Sequence, residues 1–363
     1  MNIVSKLVSP SSQPSLAAVD FFCGAGGMTH GLRQAGIHVL GGIDNDTQCK
    51  LTYEENNKPA KFLNYDVAEL ECGLLAEELN IKSDDPYLVF TGCSPCQYWS
   101  KIQTSRKKSE STAFLLKEFQ RFVEFFHPGF VVVENVPGLK TNQQSYLPIF
   151  LDFLGEHGYC YAHDVINAQF YGVPQHRRRY LLIAARYFSE VSLPGMDMKV
   201  RDVASALGPH NGFPPILAGH TDNSVFMHSA ATLSEKNLRR IHMTPHDGGT
   251  RIAWKDDSDL QINAYKGKDK IFVDVYGRMF WKKPAPTITT RFNSLSNGRF
   301  GHPEEDRAIS LREGAVLQSF PLEYQFIASN MNTVARQIGN AVPPELARRI
   351  GQHLIRMASD GNI

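Results

Sequence analysis

Along the first half of the chain, apolar and polar positions alternate in a rhythm of strands and helices. The run Ala17-Ala18-Val19 continues through Asp20-Phe21-Phe22 into glycines, the pattern of a buried strand that ends in a turn. Met28, Leu32 and Ala35 then fall on one helical face, and Gly36 suits the position just past that helix. A second strand is predicted over 38–43, ending at Asp44, with further strands over 87–90, 130–133 and 180–183. Between them Leu115, Phe119, Phe122 and Phe126 recur at helical spacing until His127-Pro128 stops the helix. Strands alternating with helices predict the α/β class, with a doubly wound, mostly parallel, Rossmann-like sheet.

The rhythm stops after about Arg186. From 187 to about 285 the chain carries scattered Gly, Pro, His and Asp with short apolar pieces and no sustained period, which predicts a second, smaller and irregular domain. A helical pattern returns near the end, where Leu346, Ile350 and Leu354 align behind Pro344, a residue suited to a first helical turn. This helix is expected to pack back on the first domain. The division that follows is one domain from 1–186 plus 334–363, and another over 187–333.

Composition changes this picture little. The 363 residues are 42% hydrophobic and 21% charged, as in ordinary globular proteins, and 38 basic against 37 acidic residues leave a formal charge of +1. That excludes a uniformly basic coat for nucleic acid but not local basic patches. Six cysteines spread through the first half fit reduced thiols in a cytoplasmic setting better than a disulfide scaffold. Cys93 and Cys96 form a C-x-x-C, but no second ligand pair follows at zinc-site spacing, so no metal is expected.

The chemistry gathers at predicted strand ends. Phe22-Cys23-Gly24-Ala25-Gly26-Gly27 is a glycine-rich strand-to-helix turn, which lets a ligand approach the backbone. Thr29 stands where the dinucleotide fingerprint needs a third glycine, which counts against a nicotinamide-dependent oxidoreductase. Asp44, after the second strand, is placed to accept from ribose hydroxyls, and Asp66 from an adenine amino group. Thr91-Gly92-Cys93-Ser94-Pro95-Cys96-Gln97 follows the fourth strand, over the ligand crevice, where a cysteine is a candidate nucleophile. Glu134-Asn135 ends the next strand at the same edge. In Gln175-His176-Arg177-Arg178-Arg179, alternation sends Arg177 and Arg179 to one face and Arg178 to the other.

Taken in this order, the residues resemble the DNA (cytosine-5)-methyltransferases, over nearly the whole chain. The resemblance rests on the turn 20–27, Pro95-Cys96-Gln97, Glu134-Asn135-Val136 and Gln175-x-Arg177-x-Arg179. It continues in a late motif within 284–321, which holds Pro286-Thr287-Ile288-Thr289, Leu311-Arg312-Glu313 and Leu317-Gln318-Ser319-Phe320-Pro321, and ends with 337–344. Phe21 departs from the leucine usual there, Cys93-Ser94 precede the nucleophile motif, and Trp99 replaces a smaller aromatic.

The resemblance implies transfer of a methyl group from S-adenosylmethionine to carbon-5 of a flipped-out cytosine in a short duplex DNA sequence, with S-adenosylhomocysteine as the product. It implies Cys96 as the nucleophile, Glu134 at ring N3, Asn135 holding the loop, and Arg177 and Arg179 at the base and its charge. Phe22, Gly24, Ala25, Gly26, Gly27, Asp44, Asp66, Val67, Pro95 and Asn340 would hold the cofactor. For DNA, Gln97, Ser100, Lys101, Arg106, Lys107 and Lys108 lie in a segment, 98–111, expected to close as a lid. Arg239, Arg240, Arg251, Arg291 and Arg299 are the other expected contacts. His246-Asp247-Gly248-Gly249-Thr250-Arg251 reads as a loop able to reach base edges. The setting implied is a monomeric cytoplasmic methylase of a restriction–modification or phage-defence system. The alternatives are an RNA (tRNA) cytosine methyltransferase and a catalytically silent DNA-binding regulator on the same scaffold.

Overall fold

Apolar runs long enough to be buried on both faces become the centre of a single sheet. In the computed structural model, which describes residues 15–94, 109–197 and 199–361, the elements alternate from the start. They are β1 (Ala17–Phe21), α1 (Gly27–Ala35), β2 (His38–Ile43), α2 (Lys50–Asn57), β3 (Lys61–Leu63), α3 (Cys72–Leu79), β4 (Leu88–Gly92) and α4 (Ser109–Phe126). After these come β5 (Phe130–Asn135), α5 (Gly138–Thr141), α6 (Leu147–Glu156), β6 (Cys160–Asn167) and β7 (Arg178–Ala185). The seven strands lie in the order β3-β2-β1-β4-β5-β7-β6. β1 runs parallel to β2 and β4, and β4 to β5, while β7 is antiparallel to both β5 and β6. The class is α/β and the sheet doubly wound and mostly parallel.

Side-chain alternation feeds two apolar layers. Val132 and Leu181 face one layer with Met28 and Leu32 of α1, and Val131 and Leu182 face the other with Phe119 and Phe122 of α4 and Phe150 of α6. Phe21 is fully buried between Phe90, Phe119 and Phe122, with ring centroids 5.0–5.2 Å apart, so an aromatic cluster fills the volume around this position. α1 ends on Gly36 in the left-handed region (φ 102°), whose N–H closes the last turn.

Beyond the sheet lie a short ribbon of β8 (Thr221–Asp222) with β9 (His228–Ser229), then α7 (Glu235–Met243), α8 (Leu311–Leu317), α9 (Met331–Asn340) and α10 (Pro344–Asp360). α7 interrupts a stretch expected to be irregular. Ile241 is its one fully buried side chain, so it leaves no apolar stripe to read. β6 also escapes the pattern, because it is an edge strand with mostly half-exposed residues. α10 packs back on the sheet as expected. Leu346, Ile350 and Leu354 join Met28 and Leu32, and Gly31 comes so close that a Cβ there would stand 2.2 Å from the Pro344 carbonyl.

α9 behaves differently. It crosses position 333, and its Val334, Ala335 and Ile338 lie in a third core with Val203, Phe292, Leu311 and Phe320. This third core therefore draws on residues from both sides of the boundary expected between 333 and 334. Ala25 of the glycine turn is part of the same core, so the turn packs against these later segments.

Candidate active site

The glycine turn is built by one buried carboxylate. Asp20 at the end of β1 is fully buried; Oδ2 accepts from the Thr29 amide (3.1 Å) and hydroxyl (2.7 Å), and Oδ1 from the Thr91 hydroxyl (2.8 Å). Thr29 thus has a specific task where a dinucleotide fingerprint has glycine: it fixes the start of α1 against β1 and β4. Burial raises the Asp20 carboxyl from 3.8 to about 6 against the pull of those three bonds.

Around this anchor the backbone turns through left-handed positions at Phe22 (φ 61°), Gly24 (φ 51°) and Gly26 (φ 87°). Gly26 and Gly27 are needed for close packing, since a Cβ on either would stand 2.3 Å from Asn57 Nδ2 or 2.2 Å from the Val342 carbonyl. Gly24 is different: among the described residues, its chain neighbours aside, no atom lies within 4 Å of the position its Cβ would take. Its N–H donates to Asp44 Oδ2 (2.8 Å), and Asp44 Oδ1 accepts from the Asp46 amide (2.8 Å). Burial raises the Asp44 carboxyl above its ordinary value. Asp66 accepts from the Ala68 amide (3.0 Å) and from Asn45 Nδ2 (2.9 Å), beside buried Val67. Each carboxylate oxygen keeps lone-pair capacity for a second donor. Half-exposed Phe22, Gly24, Asp44 and Asp66 lie close along the chain ends of β1, β2 and β3, and the two carboxylates are acceptors that suit the hydroxyls and amino group of an adenosine.

The second centre lies at the neighbouring strand ends. Because β7 runs antiparallel to β5, its first residues stand where β5 finishes, with Asn135 opposite Tyr180 and Glu134 opposite Leu181. Arg179 Nε comes within 3.1 Å of Glu134 Oε1, although its N–H is not aligned for a hydrogen bond. The Glu134 carboxyl is almost wholly buried. Burial raises its pKa, Arg179 and Arg177 pull the other way, and the net position stays above the ordinary carboxylate value. Asn135 Nδ2 donates to both the carbonyl (3.2 Å) and hydroxyl (3.1 Å) of Ser94, while its Oδ1 accepts from the Val136 amide (2.9 Å). One side chain thus ties the end of β5 to the chain leaving β4. Pro95, Cys96, Gln97, Ser100, Lys101, Arg106, Lys107 and Lys108, with the 98–108 part of the expected lid, lie outside the described residues.

Arg177 has a task beyond the one expected of it. Alternation holds, since Arg178 is exposed and Arg177 is 1% exposed, and the Arg177 guanidinium also binds backbone. Nη1 donates to the Ile288 carbonyl (3.0 Å), and Nη2 to those of Gly339 (3.1 Å) and Ala341 (3.0 Å). These carbonyls flank exposed Asn340, so Arg177 holds the late and last motifs together and orients Asn340. Gln175, singled out only as part of a motif, extends the tie. Its Nε2 donates to the Leu317 carbonyl (3.1 Å) and Gln318 Oε1 (2.6 Å), and its Oε1 accepts from the Ile288 amide (2.9 Å). Its spacing two residues before Arg177 was the available signal, because it places both side chains on the same face. Arg312 and Glu313 of the late motif are structural as well. Glu313 forms a capping box with Ser310; burial works to raise its carboxyl, but the paired Arg307 brings it down to about 2.

Three of the five arginines expected at DNA outside the lid are spoken for within the fold. Arg240 donates to the Leu260 carbonyl (2.8 Å) and Asn237 Oδ1 (2.8 Å). Arg251 is 3% exposed and braces the carbonyls of Lys268, Ile271 and Phe272. Arg299 pairs with Asp274 and donates to the Gly248 and Arg278 carbonyls. Arg239 is half exposed in a pair with Asp259, and Arg291 is exposed. The loop 246–251 is likewise fastened: Asp247 Oδ1 accepts from the Trp281 amide (2.7 Å), and a Cβ on Gly248 would strike the Phe280 ring.

The family described as C-5 cytosine-specific DNA methylase matches residues 16–356. The chain is 40% identical over 351 residues to the Type II methylase M.HgiDII of Herpetosiphon aurantiacus, covering 94% of this chain and 95% of that one. It is 29% identical to the Type II methyltransferase M1.BsuMI of Bacillus subtilis, covering 94% and 81%. Among solved structures, a prophage-encoded E. coli protein described as a DNA modification methyltransferase superposes with a TM-score of 0.71 at 22% identity, over 94% and 99% of the two chains. Spodoptera frugiperda DNMT2 superposes with a TM-score of 0.62 at 16% identity, over 94% and 99%.

Proposed function

The chain belongs to the C-5 cytosine-specific DNA methylase family, and from that membership we propose how its own residues divide the work of methylating carbon-5 of cytosine in DNA. S-adenosylmethionine, when bound, supplies an electrophilic methyl group on a positively charged sulfur. The open space over Gly24 admits the ligand, Asp44 and Asp66 take its hydroxyl and amino hydrogens, and Phe22 and Val67 give it apolar surface. The backbone of Ala25, Gly26 and Gly27 shapes the turn beneath it, and Pro95 and Asn340 complete its border.

Carbon-5 of cytosine is a poor nucleophile until a thiolate adds to carbon-6. Cys96 supplies that thiolate, forming a carbon–sulfur bond and turning the ring into an enamine whose carbon-5 takes the methyl group. A proton shared between Glu134 and ring N3 lowers the cost of the addition, and a carboxyl whose pKa is raised by burial suits that role. Arg179 orients Glu134, Arg179 and Arg177 offset charge at the base and its carboxyl partner, and Arg177 also holds the backbone around Asn340. Water then takes the carbon-5 proton, the carbon–sulfur bond breaks, and the thiolate leaves.

The observation that carries this reading is the Asn135–Ser94 tether, which fixes the chain two residues before Cys96 beside the Glu134–Arg179 pair. We assign target recognition to the body built on 187–333, phosphate contacts to Gln97, Ser100, Lys101, Arg106, Lys107, Lys108, Arg239 and Arg291, and a monomeric, cytoplasmic state serving a restriction–modification or defence system. Among the described residues, no helix is long and apolar enough to cross a membrane. The test is methyl transfer to duplex DNA with tRNA as the competing substrate, followed by trapping on 5-fluorocytosine DNA. A crosslink at Cys96 that is lost in Cys96→Ser, with cofactor binding retained, is expected. A crosslink at another residue overturns the assignment.

A further inference from the structure

Arg251 sits beneath a surface loop and grips it from inside. Its Nε donates to the Phe272 carbonyl (3.3 Å) and its Nη2 to those of Lys268 (2.6 Å) and Ile271 (2.9 Å), with its guanidinium 4.8 Å from the Tyr265 ring centre. The braced loop then presents two adjacent large apolar side chains to solvent, Ile271 at 52% and Phe272 at 59% exposure. Phe272 holds φ 53°, a region that bulky residues rarely adopt, so the surrounding bonds impose its direction. Rigid, strained and apolar at its tip, such a loop is built to meet something.

Its charges say what. Lys266, Lys268 and Lys270 alternate along the approach to the tip, all exposed. The loop's acids already face cations of other segments, Asp269 near Lys255 (3.9 Å) and Asp274 against Arg299 (2.7 Å). Lys266 and Lys270 belong to no ion pair among the described residues. Position agrees. The Tyr276 amide donates to the Leu295 carbonyl (2.8 Å), tying the loop's exit to a segment whose other end, Thr287, bonds the His176 carbonyl (2.8 Å) beside Arg177. Eight residue steps separate Thr287 from Leu295, a reach of at most roughly 27 Å, or about eight base-pair steps of duplex.

We propose that the loop 266–272 is a DNA-reading finger, in which Lys266 and Lys270 straddle phosphates and Ile271 and Phe272 contact the 5-methyl group of a pyrimidine in the major groove. The proposal rests on the methyltransferase reading. In DNA that chemistry has two sources: thymine, and the 5-methylcytosine that the enzyme's own reaction produces. Burying one methyl group is worth about 0.8 kcal/mol, a factor of about four.

The experiment uses the full chain and a duplex carrying its target sequence, found by bisulfite mapping. Thymines are replaced one at a time by deoxyuridine, and a hemimethylated duplex is compared with the unmethylated one. Loss of at least one methyl group should lower wild-type kcat/KM about threefold or more, and the Ile271→Ala/Phe272→Ala variant should not respond at that position. Lys266→Gln/Lys270→Gln should flatten the salt dependence of binding by up to about 1.8 in slope. A wild type indifferent to every methyl group, or a variant that responds as the wild type does, overturns the finger. No transfer to DNA at all would instead strike the methyltransferase reading itself.

Discussion

Arg177 Nη2 and Gln318 Nε2 converge on one acceptor, the Ala341 carbonyl, at 3.0 and 2.7 Å. The two donors lie far apart along the chain, just before β7 and just past α8, and the carbonyl belongs to the turn between α9 and α10. A buried guanidinium with three carbonyl partners is matched to that geometry by its planar fork, which an ammonium cannot reproduce. Arg177→Lys should therefore lower unfolding stability by about 2–4 kcal/mol in urea titrations. Arg179→Gln, at the residue paired with Glu134, should leave stability within about 1 kcal/mol, because a buried Glu134 can take up a proton when its cation goes, and should abolish turnover under the proposed mechanism. Equal stability losses in the two variants would contradict this division of roles.

Asn135, the last residue of β5, is tied through Nδ2 to Ser94, two residues past the end of β4. Asn135→Asp keeps the shape and removes the donor, turning an attraction to the Ser94 carbonyl into a repulsion. Losing one buried hydrogen bond costs about 1–3 kcal/mol. If that cost falls on the geometry of the nucleophile, kcat drops about 10–100-fold. The midpoint of S-adenosylmethionine binding, measured by calorimetry, should hold steady. A shift in cofactor affinity with kcat unchanged would assign Asn135 to the wrong site.

Asp20 carries a pH signature. Its folded pKa of about 6 lies above the ordinary 3.8, so its contribution to stability is complete below about pH 4 and is lost as the pH rises through about 6. The full swing is roughly 3 kcal/mol. Asp20→Asn stays neutral at every pH and can still accept from Thr29 while donating to the Thr91 hydroxyl. The variant should be the more stable protein at pH 8, with the gap closing near pH 4. Denaturant midpoints at the two pH values decide it, and a gap that widens toward acid would refute the buried, protonatable state.

Much of the fold was legible because it is written in apolar runs. The strands at 17–21, 38–43, 88–92, 130–135 and 178–185 bury both faces over most of their length, so their apolar runs cannot be mistaken for surface. β6 and α7 were not legible, since an edge strand and a helix with one fully buried residue leave no period. At the site, strand ends pointed to Asp44, Glu134 and Arg179, but the reversal of β7 that joins the last two is a matter of topology. Arginines were the hardest case. Arg240, Arg251 and Arg299 look in sequence like free cations, and only the fold shows the carbonyls they serve, which for Arg251 lie 17–21 residues away.

Two glycines two residues apart should fail in opposite ways. Gly26 has φ 87°, and a Cβ there meets Asn57 Nδ2 at 2.3 Å, an atom itself held by the Tyr53 carbonyl at 3.0 Å. Gly26→Ala combines a steric clash with left-handed strain, so its first effect is on the fold, about 3 kcal/mol or more. Gly24 has φ 51° and open space where a side chain would go. Gly24→Ala bears only the conformational cost of about 1–2 kcal/mol. Its methyl group instead intrudes on the open space beside Asp44, and S-adenosylmethionine should bind at least tenfold more weakly by calorimetry. Because both substitutions add the same atoms to the same turn, any general loosening would move both readouts together. A Gly24→Ala protein that melts near the wild type and binds the cofactor as tightly would place the ligand away from this turn.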